Sequence, residues 1–331
     1  MKIALVHNTP VEGKLDSIDV LDQVEMVSAA LSGLDYSFKT FPVGEGACPV
    51  SDLINELKAY SPDAVFNLFE GLSDDPRFYP MVASIFEAGG FPYTGAPFPA
   101  LFTTTDKILS KAILQANNLP TPEWQQYDGS FEAITIPPPW IVKPSWEDGS
   151  IGIDEDSIYY GREGLISMLP LLYERHRCQP LLIERYIEGR EINIPLLEHG
   201  DGSVEVLPIS EITFEDWPPD KPRIVGYKAK WNEGAFEYEN TQRVFYPEEA
   251  PLELMEEVAM KCWKLFHLGG YARVDARLDE HGNLYIIEIN TNPCIASESG
   301  FMRATYEAGY RSLDFVREVI AAAIRRRNHP K

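Results

Sequence analysis

Four side chains near the carboxyl end are of types and at a spacing that could do chemistry. Between Tyr271 and Pro293 the sequence reads as strand, turn and strand, with the turn at Glu280-His281-Gly282-Asn283. Alternation puts Arg273 and Asp275 on one face of the first strand, and Glu288 and Asn290 on one face of the second. If the strands pair, Asp275, Glu288 and Asn290 come together with Arg273 beside them. Such hard oxygen donors suit Mg²⁺, which takes one or two carboxylates and leaves the rest of its shell to substrate phosphates and water. The same pattern also fits an ordinary hairpin with an acidic outer face, so the rest of the chain must decide.

The elements that would hold such a site can be read in order. Residues 1–100 alternate strands (2–7, 37–42, 64–69) with helices (19–31, 50–60, 79–88), Ser51 being placed to cap the second helix. That order implies a small parallel, doubly wound sheet, whose ligands bind beyond the carboxyl ends of its strands, at 7–14 and 69–77. A boundary falls at 97–105, and a helix over 105–117 follows. Ile141-Val-Lys143 is a short strand ending in a lysine beside the glycine-bearing loop from Pro144 to Gly152. Next come a helix over 161–176, strands over 181–186, 192–197 and 204–212, a helix within 247–267 and a last helix over 312–326. The polar, aromatic stretch 214–246 has weak periodicity, and a loop that long covers an active site or is disordered.

Composition narrows the class. At 331 residues, 44% of them hydrophobic, the chain suggests two or three domains with real cores. No apolar run approaches the roughly 18 residues of a membrane span, and the short apolar N-terminus reads as a buried strand, not a secretion signal. Cys48, Cys178, Cys262 and Cys294 show no metal spacing and suit reduced thiols in a cytoplasmic protein. The histidines His7, His176, His199, His267 and His281 lack ligand spacing too, which disfavours a metallo-hydrolase. With 29 Lys and Arg against 51 Asp and Glu, the net charge of −22 argues against a nucleic-acid backbone as partner. Any anionic substrate must be met by a few local cations.

Taken in order, several motifs resemble those of the ATP-grasp superfamily, in its D-alanine–D-alanine ligase branch. They are Phe91-Pro-Tyr-Thr-Gly95, Asp106-Lys107, Val142-Lys-Pro-Ser145 with the loop after it, Ile183-Glu184 through Gly189-Arg-Glu191, Ala229-Lys230, Arg273-Val-Asp275 and Glu288-Ile-Asn290. The resemblance covers nearly the whole chain. It implies an α/β ATP-grasp fold, α+β in parts, with three domains. These are a doubly wound parallel sheet over 1–100, a small central α+β domain over 101–189, and an antiparallel-sheet α+β domain over 190–331 carrying the metal site. It also implies ATP and Mg²⁺ as cofactors (two ions, with Mn²⁺ as an alternative) and amide synthesis through an acyl-phosphate. Lys107, Lys143 and Lys230 match phosphate-contacting lysines, and the loop 147–152 matches the lid above them. Glu184 matches the acceptor for the adenine amino group, with backbone groups of Arg185 and Ile187 on the ring edge and Glu191 on the ribose. Asp275, Glu288 and Asn290 match the magnesium ligands, and Arg273 the cation on the reacting carboxyl oxygens. Ser299 aligns with a serine that binds the second substrate's carboxylate.

The departures gather on the substrate side. The family's N-terminal glycine-rich turn and amine-binding glutamate are replaced by the stretch from Asn8 to Ser17, with Asp16 or Asp19 as candidate substitutes. The lid serine falls at Gly149, with Ser150 following as the candidate catalytic hydroxyl; the tyrosine after the loop lysine is Trp231. A His-Gly pair is Glu70-Gly71, and a glycine is Cys294. Arg77 and Trp146 are candidates for contacting a different, bulkier substrate, though a surface arginine and a packed tryptophan fit equally well. The expectation is a carboxylate–amine ligase acting on small amino-acid-like molecules. The alternatives are D-alanine–D-alanine ligation in a substituted site, or a non-catalytic ATP-binding regulatory module. No nucleic-acid or membrane partner is expected, and the resemblance suggests a homodimer.

Overall fold

A strand apolar on both faces belongs in the middle of a covered parallel sheet, and Ile3-Ala-Leu-Val6 is such a run. A computed structural model describes residues 1–11, 14–73, 75–130 and 133–328, with backbone alone over 15–17. There the run forms β1 (Lys2–Asn8), followed by α1 (Leu15–Gly33), β2 (Ser37–Val43), α2 (Val50–Tyr60), β3 (Ala64–Leu68) and α3 (Tyr79–Gly89). The strands are parallel in the order β2-β1-β3. Ala4 and Val6 pack with Leu53 and Leu57 of α2 and Phe86 of α3, whereas Ile3 and Leu5 face α1 through Val20 and Val27. Ser51 does not cap α2: Pro49 precedes the helix, and the Ser51 hydroxyl donates to Asp52 Oδ1 at 3.1 Å.

The middle of the chain supplies α4 (Phe98–Thr105), α5 (Lys107–Ala116), β4 (Trp124–Tyr127), β5 (Trp140–Pro144), β6 (Ile158–Tyr159), α6 (Arg162–Arg175) and β7 (Leu181–Arg185). Its strands form an antiparallel sheet in the order β4-β7-β5-β6. The stretch 97–105, expected as a boundary, is itself helical. Asp106 separates α4 from α5 and caps α5 by accepting from the amides of Ile108 and Leu109 at 2.9 and 3.2 Å.

The remainder forms β8 (Arg190–Glu198), β9 (Val204–Val206), β10 (Ser210–Phe214), α7 (Tyr227–Trp231), α8 (Phe236–Glu239), β11 (Thr241–Phe245), α9 (Leu252–Leu265), β12 (Tyr271–Leu278), β13 (Leu284–Thr291), α10 (Gly300–Glu307) and α11 (Ser312–Asn328). This antiparallel sheet runs β11-β10-β8-β12-β13, with β9 paired to β8. The strand expected over 204–212 is broken at Pro208, which has no N–H for the ladder. The long loop expected over 214–246 is largely structured: β10 and β11 pair across it, and α7 and α8 lie between.

Alternation divides the large sheet. Ile192, Ile194, Ala272, Val274 and Ala276 go inward against α9, leaving Glu191, Asn193, Arg273 and Asp275 on the other face. The last helix closes the first sheet, because Phe315, Val316, Val319 and Ile320 of α11 share a core with Ile3, Leu5, Val20 and Val27. Burial of such side chains stabilises by about 1.5–3 kcal/mol each.

Candidate active site

Pairing of β12 with β13 sets Arg273 opposite Asn290 and Asp275 opposite Glu288. The register then slips, Ala276 meeting Ile286, so that Ile287 is an extra residue in a β-bulge. The slip accounts for the burial of both Ile286 and Ile289, three residues apart. Without it, Glu288 and Ile286 would share a face, and one would be on the wrong side.

Asp275 is saturated with donors. Arg273 Nε and Nη2 reach its two oxygens at 2.6 and 2.9 Å, Asn290 Nδ2 donates at 2.6 Å, and Asn193 Nδ2 donates at 2.8 Å. Glu288 instead takes Lys107 Nζ at 2.5 Å. Burial alone would raise the Glu288 carboxyl, but Lys107 overrides this, with Lys230 and Lys143 adding, and holds it down at about 2. Burial likewise opposes the charge on Lys107, and Glu288 and Asp148 reverse it and raise the ammonium. Among the described residues no three His, Cys, Asp or Glu side chains are grouped to hold a metal. The hairpin offers two carboxylates and an amide, a set that fits Mg²⁺ when phosphates and water complete the shell.

Lys107 is placed by its helix. It is the first residue of α5, its N–H donates to Ser145 O at 3.0 Å, and Ser145 Oγ donates to the capping Asp106 at 2.7 Å. Its ammonium also reaches Glu147 O at 2.6 Å and Asp148 Oδ1 at 3.1 Å. Asp148 is enclosed beside Lys107 yet 43% exposed on its other side. Withdrawal from water raises its carboxyl to about 6, with Glu288 adding and Lys107 opposing. One helical turn beyond Lys107, Lys111 pairs with Glu184, whose other oxygen takes Lys143 at 2.7 Å. Glu184 is 1% exposed; burial would raise its carboxyl, and the two lysines hold it below its ordinary value. Burial pushes Lys111 down to about 8 against the pull of Glu184.

The loop after β5 and the segment around α7 lock together over this arc. Ser150 Oγ donates to Val225 O at 2.7 Å, Trp231 Nε1 to Gly149 O at 2.9 Å, and Tyr227 N to Ile153 O at 2.9 Å. At Gly226 a Cβ would stand 2.8 Å from Ile153 O, so glycine permits the close approach. Lys230 is exposed overall, while its ammonium is near enough to feel the charges of Arg273, Asp275 and Glu288. Enclosure there, then the Arg273 charge, lowers its pKa.

Arg185 and Ile187, at the connection from β7 to β8, line a cavity of about 730 Å³ with Pro138, Pro139, Glu211 and Glu280. Its lining includes neither Lys107, Lys111, Lys143 and Lys230 nor Asp275 and Glu288. Glu191 accepts from Arg277 Nη1 at 3.3 Å, and Arg277 also donates to Gly189 O and Arg223 O at 2.9 Å, tying the β7–β8 connection to the segment before α7.

On the substrate side, the side chain of Asp16 lies outside the described residues. Asp19 stands near Cys294; burial raises its carboxyl, and hydrogen bonds from Cys294 and Gln23 oppose the rise. Gln23 joins Asp19 Oδ2 at 3.3 Å to Glu70 Oε1 at 2.8 Å and accepts from Ile295 N. Arg77 is forked onto Asp75 and lies over the Trp146 ring at 5.3 Å. The Ser299 hydroxyl accepts from Met302 N and caps α10. Sequence reasoning missed Lys111, Asp148, Asn193 and Arg277. Spacing offered a signal for three of them: Lys111 follows Lys107 by one helical turn, and Asn193 and Arg277 alternate with Glu191 and Asp275.

This cleft, closed by two segments over a lysine arc and a carboxylate hairpin, is that of an ATP-grasp fold. A family model described as D-ala D-ala ligase C-terminus matches residues 119–321. The uncharacterized protein y4sG of Sinorhizobium fredii is 30% identical over 270 residues, 79% of this chain and 75% of that protein. The D-alanine--D-alanine ligase of Carboxydothermus hydrogenoformans is 30% identical over 253 residues, 72% of this chain and 75% of the relative. The crystal structure of D-alanine--D-alanine ligase from Bacillus anthracis complexed with ATP shares the fold with a TM-score of 0.75, at 22% identity and with 100% of both chains covered. The chain belongs to the D-ala D-ala ligase family, and with it to the ATP-grasp ligases that form C–N bonds.

Proposed function

We propose that the protein joins two amino-acid-like substrates, ATP activating the carboxylate of one as an acyl-phosphate that the amine of the other attacks. The observation that carries this reading is the hairpin pairing of Asp275 with Glu288, each neutralised by its own cation, Arg273 or Lys107. A carboxylate approaching a triphosphate is repelled, so the site must concentrate positive charge where a chain of net charge −22 otherwise has little. Lys107, Lys143 and Lys230 would face the phosphates, and Arg273 the reacting carboxyl oxygens and the later oxyanion. Asp275, Glu288 and Asn290 would hold magnesium, which supplies further charge neutralisation at the phosphates. Arg273 and Lys107 would then be released from their carboxylates towards substrate. Glu184 would orient Lys111 and Lys143, leaving the adenine edge to backbone groups of Arg185 and Ile187. The latched lid would keep water from an intermediate that hydrolyses readily. The same reading assigns 1–100, 101–189 and 190–331 as the three domains that enclose the cleft.

Relatives named D-alanine--D-alanine ligase put D-alanine first among substrates to try. Glu70, Gly149, Trp231 and Cys294 favour a different partner for at least one side. The test is phosphate release from ATP and Mg²⁺ with pooled amino acids, followed by mass spectrometry of products. Release that needs two added substrates supports ligation, whereas tight ATP binding without release would point to a non-catalytic module.

A further inference from the structure

Among the described residues Lys230 makes no ion pair, so the backbone that carries it must set its place. That backbone is α7, five residues long and too short to hold itself. The lid fastens it along its length: Val225 O accepts from Ser150 Oγ, Tyr227 N donates to Ile153 O, and Trp231 Nε1 donates to Gly149 O. The lid is itself a loop, however, and bonds between two loops fix neither of them against the sheets.

The fixed point lies at the root of the segment. Arg277, the last residue but one of β12, is 6% exposed. Its Nη1 and Nη2 both donate to Arg223 O at 2.9 Å, Nη2 also donates to Gly189 O at 2.9 Å, and Nη1 reaches Glu191 Oε2 at 3.3 Å. The guanidinium lies over the Tyr186 ring at 5.2 Å, and the Tyr186 hydroxyl adds a third donor to Arg223 O at 3.1 Å. Ile224, the next residue, is buried with Ile141, Ile158 and Tyr186. One side chain thus gathers the end of β12, the β7–β8 connection and the start of the covering segment.

Stability does not call for this arrangement. Glu191, the carboxylate in reach, is distant and partly exposed, and the buried Nε of Arg277 has no acceptor among the described residues. A desolvated cation held chiefly by carbonyls gains little over an apolar side chain of the same volume. What a guanidinium adds is a rigid fork, which fixes the direction and distance of the groups it holds.

We propose that Arg277 is a positioning residue for Lys230. By pinning the Arg223 carbonyl to the large sheet and the β7–β8 connection, it sets where α7 presents its ammonium to the phosphates. The proposal rests on the reading of Lys230 as a phosphate contact given above. Arg277, occupied by Arg223 O, Gly189 O and Glu191, acts on the phosphates only through Lys230.

The test is a double-mutant cycle on MgATP affinity, measured by titration calorimetry on the full chain, which needs no turnover. Lys230→Ala and Arg277→Met should each weaken MgATP by about tenfold, and the double variant by about tenfold as well, because the second change has nothing left to misplace. Acetylation of Lys230 by acetic anhydride, read by mass spectrometry, checks the placement directly. Saturating MgATP should shield Lys230 in the wild type and fail to shield it in Arg277→Met. Losses that multiply to about a hundredfold in the double variant overturn the proposal, since Arg277 then acts independently of Lys230. Equal shielding overturns it too, as does an affinity within about twofold of wild type in either single variant. Should Arg277→Met fail to fold by circular dichroism, Tyr186→Phe takes its place in the cycle, because it removes one donor from Arg223 O and no charge. Its expected loss of about threefold should vanish in the Lys230→Ala background, and a loss that persists there overturns the proposal. Phosphate release and product formation are followed in the same proteins. No product from the wild type defeats the ligase reading and leaves the cycle to judge Arg277, whereas a wild type that binds no MgATP defeats both.

Discussion

Replacing Glu184 by glutamine tests the electrostatic core of the cleft. The carboxylate is 1% exposed and holds Lys143 at 2.7 Å and Lys111 more closely still. Glutamine keeps one acceptor, enough for one ammonium, and turns an amide donor towards the other. Removing one partner of a buried ion pair costs about 3–5 kcal/mol, and here two cations are left without an anion. The deficit has a limit, because Lys111 already sits at about 8 and sheds its proton once Glu184 is gone. Each unit of that further shift is about 1.4 kcal/mol. The loss should therefore be about 3–5 kcal/mol near pH 7 and smaller near pH 9, where the Lys111 ammonium is largely deprotonated in either protein. On the acid side the sign reverses. The Glu184 carboxyl lies below its ordinary 4.5, so its contribution is whole above that pH and is lost as pH falls through the folded value. The variant should lack that part of the acid limb. Denaturant unfolding across this pH range, with ATP affinity measured in parallel, reads all three effects. Changing Lys111, Glu184 and Lys143 together to methionine should restore stability to within about 2 kcal/mol of wild type while abolishing ATP binding. A Glu184→Gln protein within about 1 kcal/mol of wild type near pH 7 would refute the reasoning.

Arg273→Ala and Glu288→Ala should each lower turnover by at least about 10²–10³-fold without loss of fold, checked by phosphate release alongside circular dichroism; near-normal turnover in Glu288→Ala removes the metal assignment. Deleting Ile287 should straighten the hairpin and force either Glu288 or Ile286 to the wrong face, so both thermal stability and activity should fall; an active, stable deletion would show that the bulge is dispensable. Ser150→Ala removes one latch hydrogen bond, worth about 1 kcal/mol, and should raise phosphate release relative to product; an unchanged ratio would free the latch of any role in excluding water.

The pairing of Asp275 with Glu288 was legible because alternation on two neighbouring strands leaves few registers. The bulge at Ile287 was written in the spacing of Ile286 and Ile289, yet an apolar residue out of phase is equally consistent with a slightly exposed isoleucine. β1 was readable from its unbroken apolar run. By contrast, α4 and α10 are single short helices with a proline or glycine near the start, and local pattern does not separate them from loops. β11 escaped notice because Gln242 and Val244 are exposed while Arg243 and Phe245 are half-buried, an inverted pattern for an edge strand. Lys111, Asn193 and Arg277 acquire their meaning from partners on other elements, which no local window contains.

The sharing of one core by β1, α1 and α11 has a consequence for how the chain is made. β1 leaves the ribosome first of all these elements, and α11 last. Until α11 arrives, the core that Ile3, Leu5, Val20 and Val27 build between β1 and α1 lacks its α11 wall, so maturation of the first sheet must wait until α11 has been made. A nascent chain arrested before Ser312 should stay sensitive to protease within its first strands and helices, and synthesis of α11 should close it.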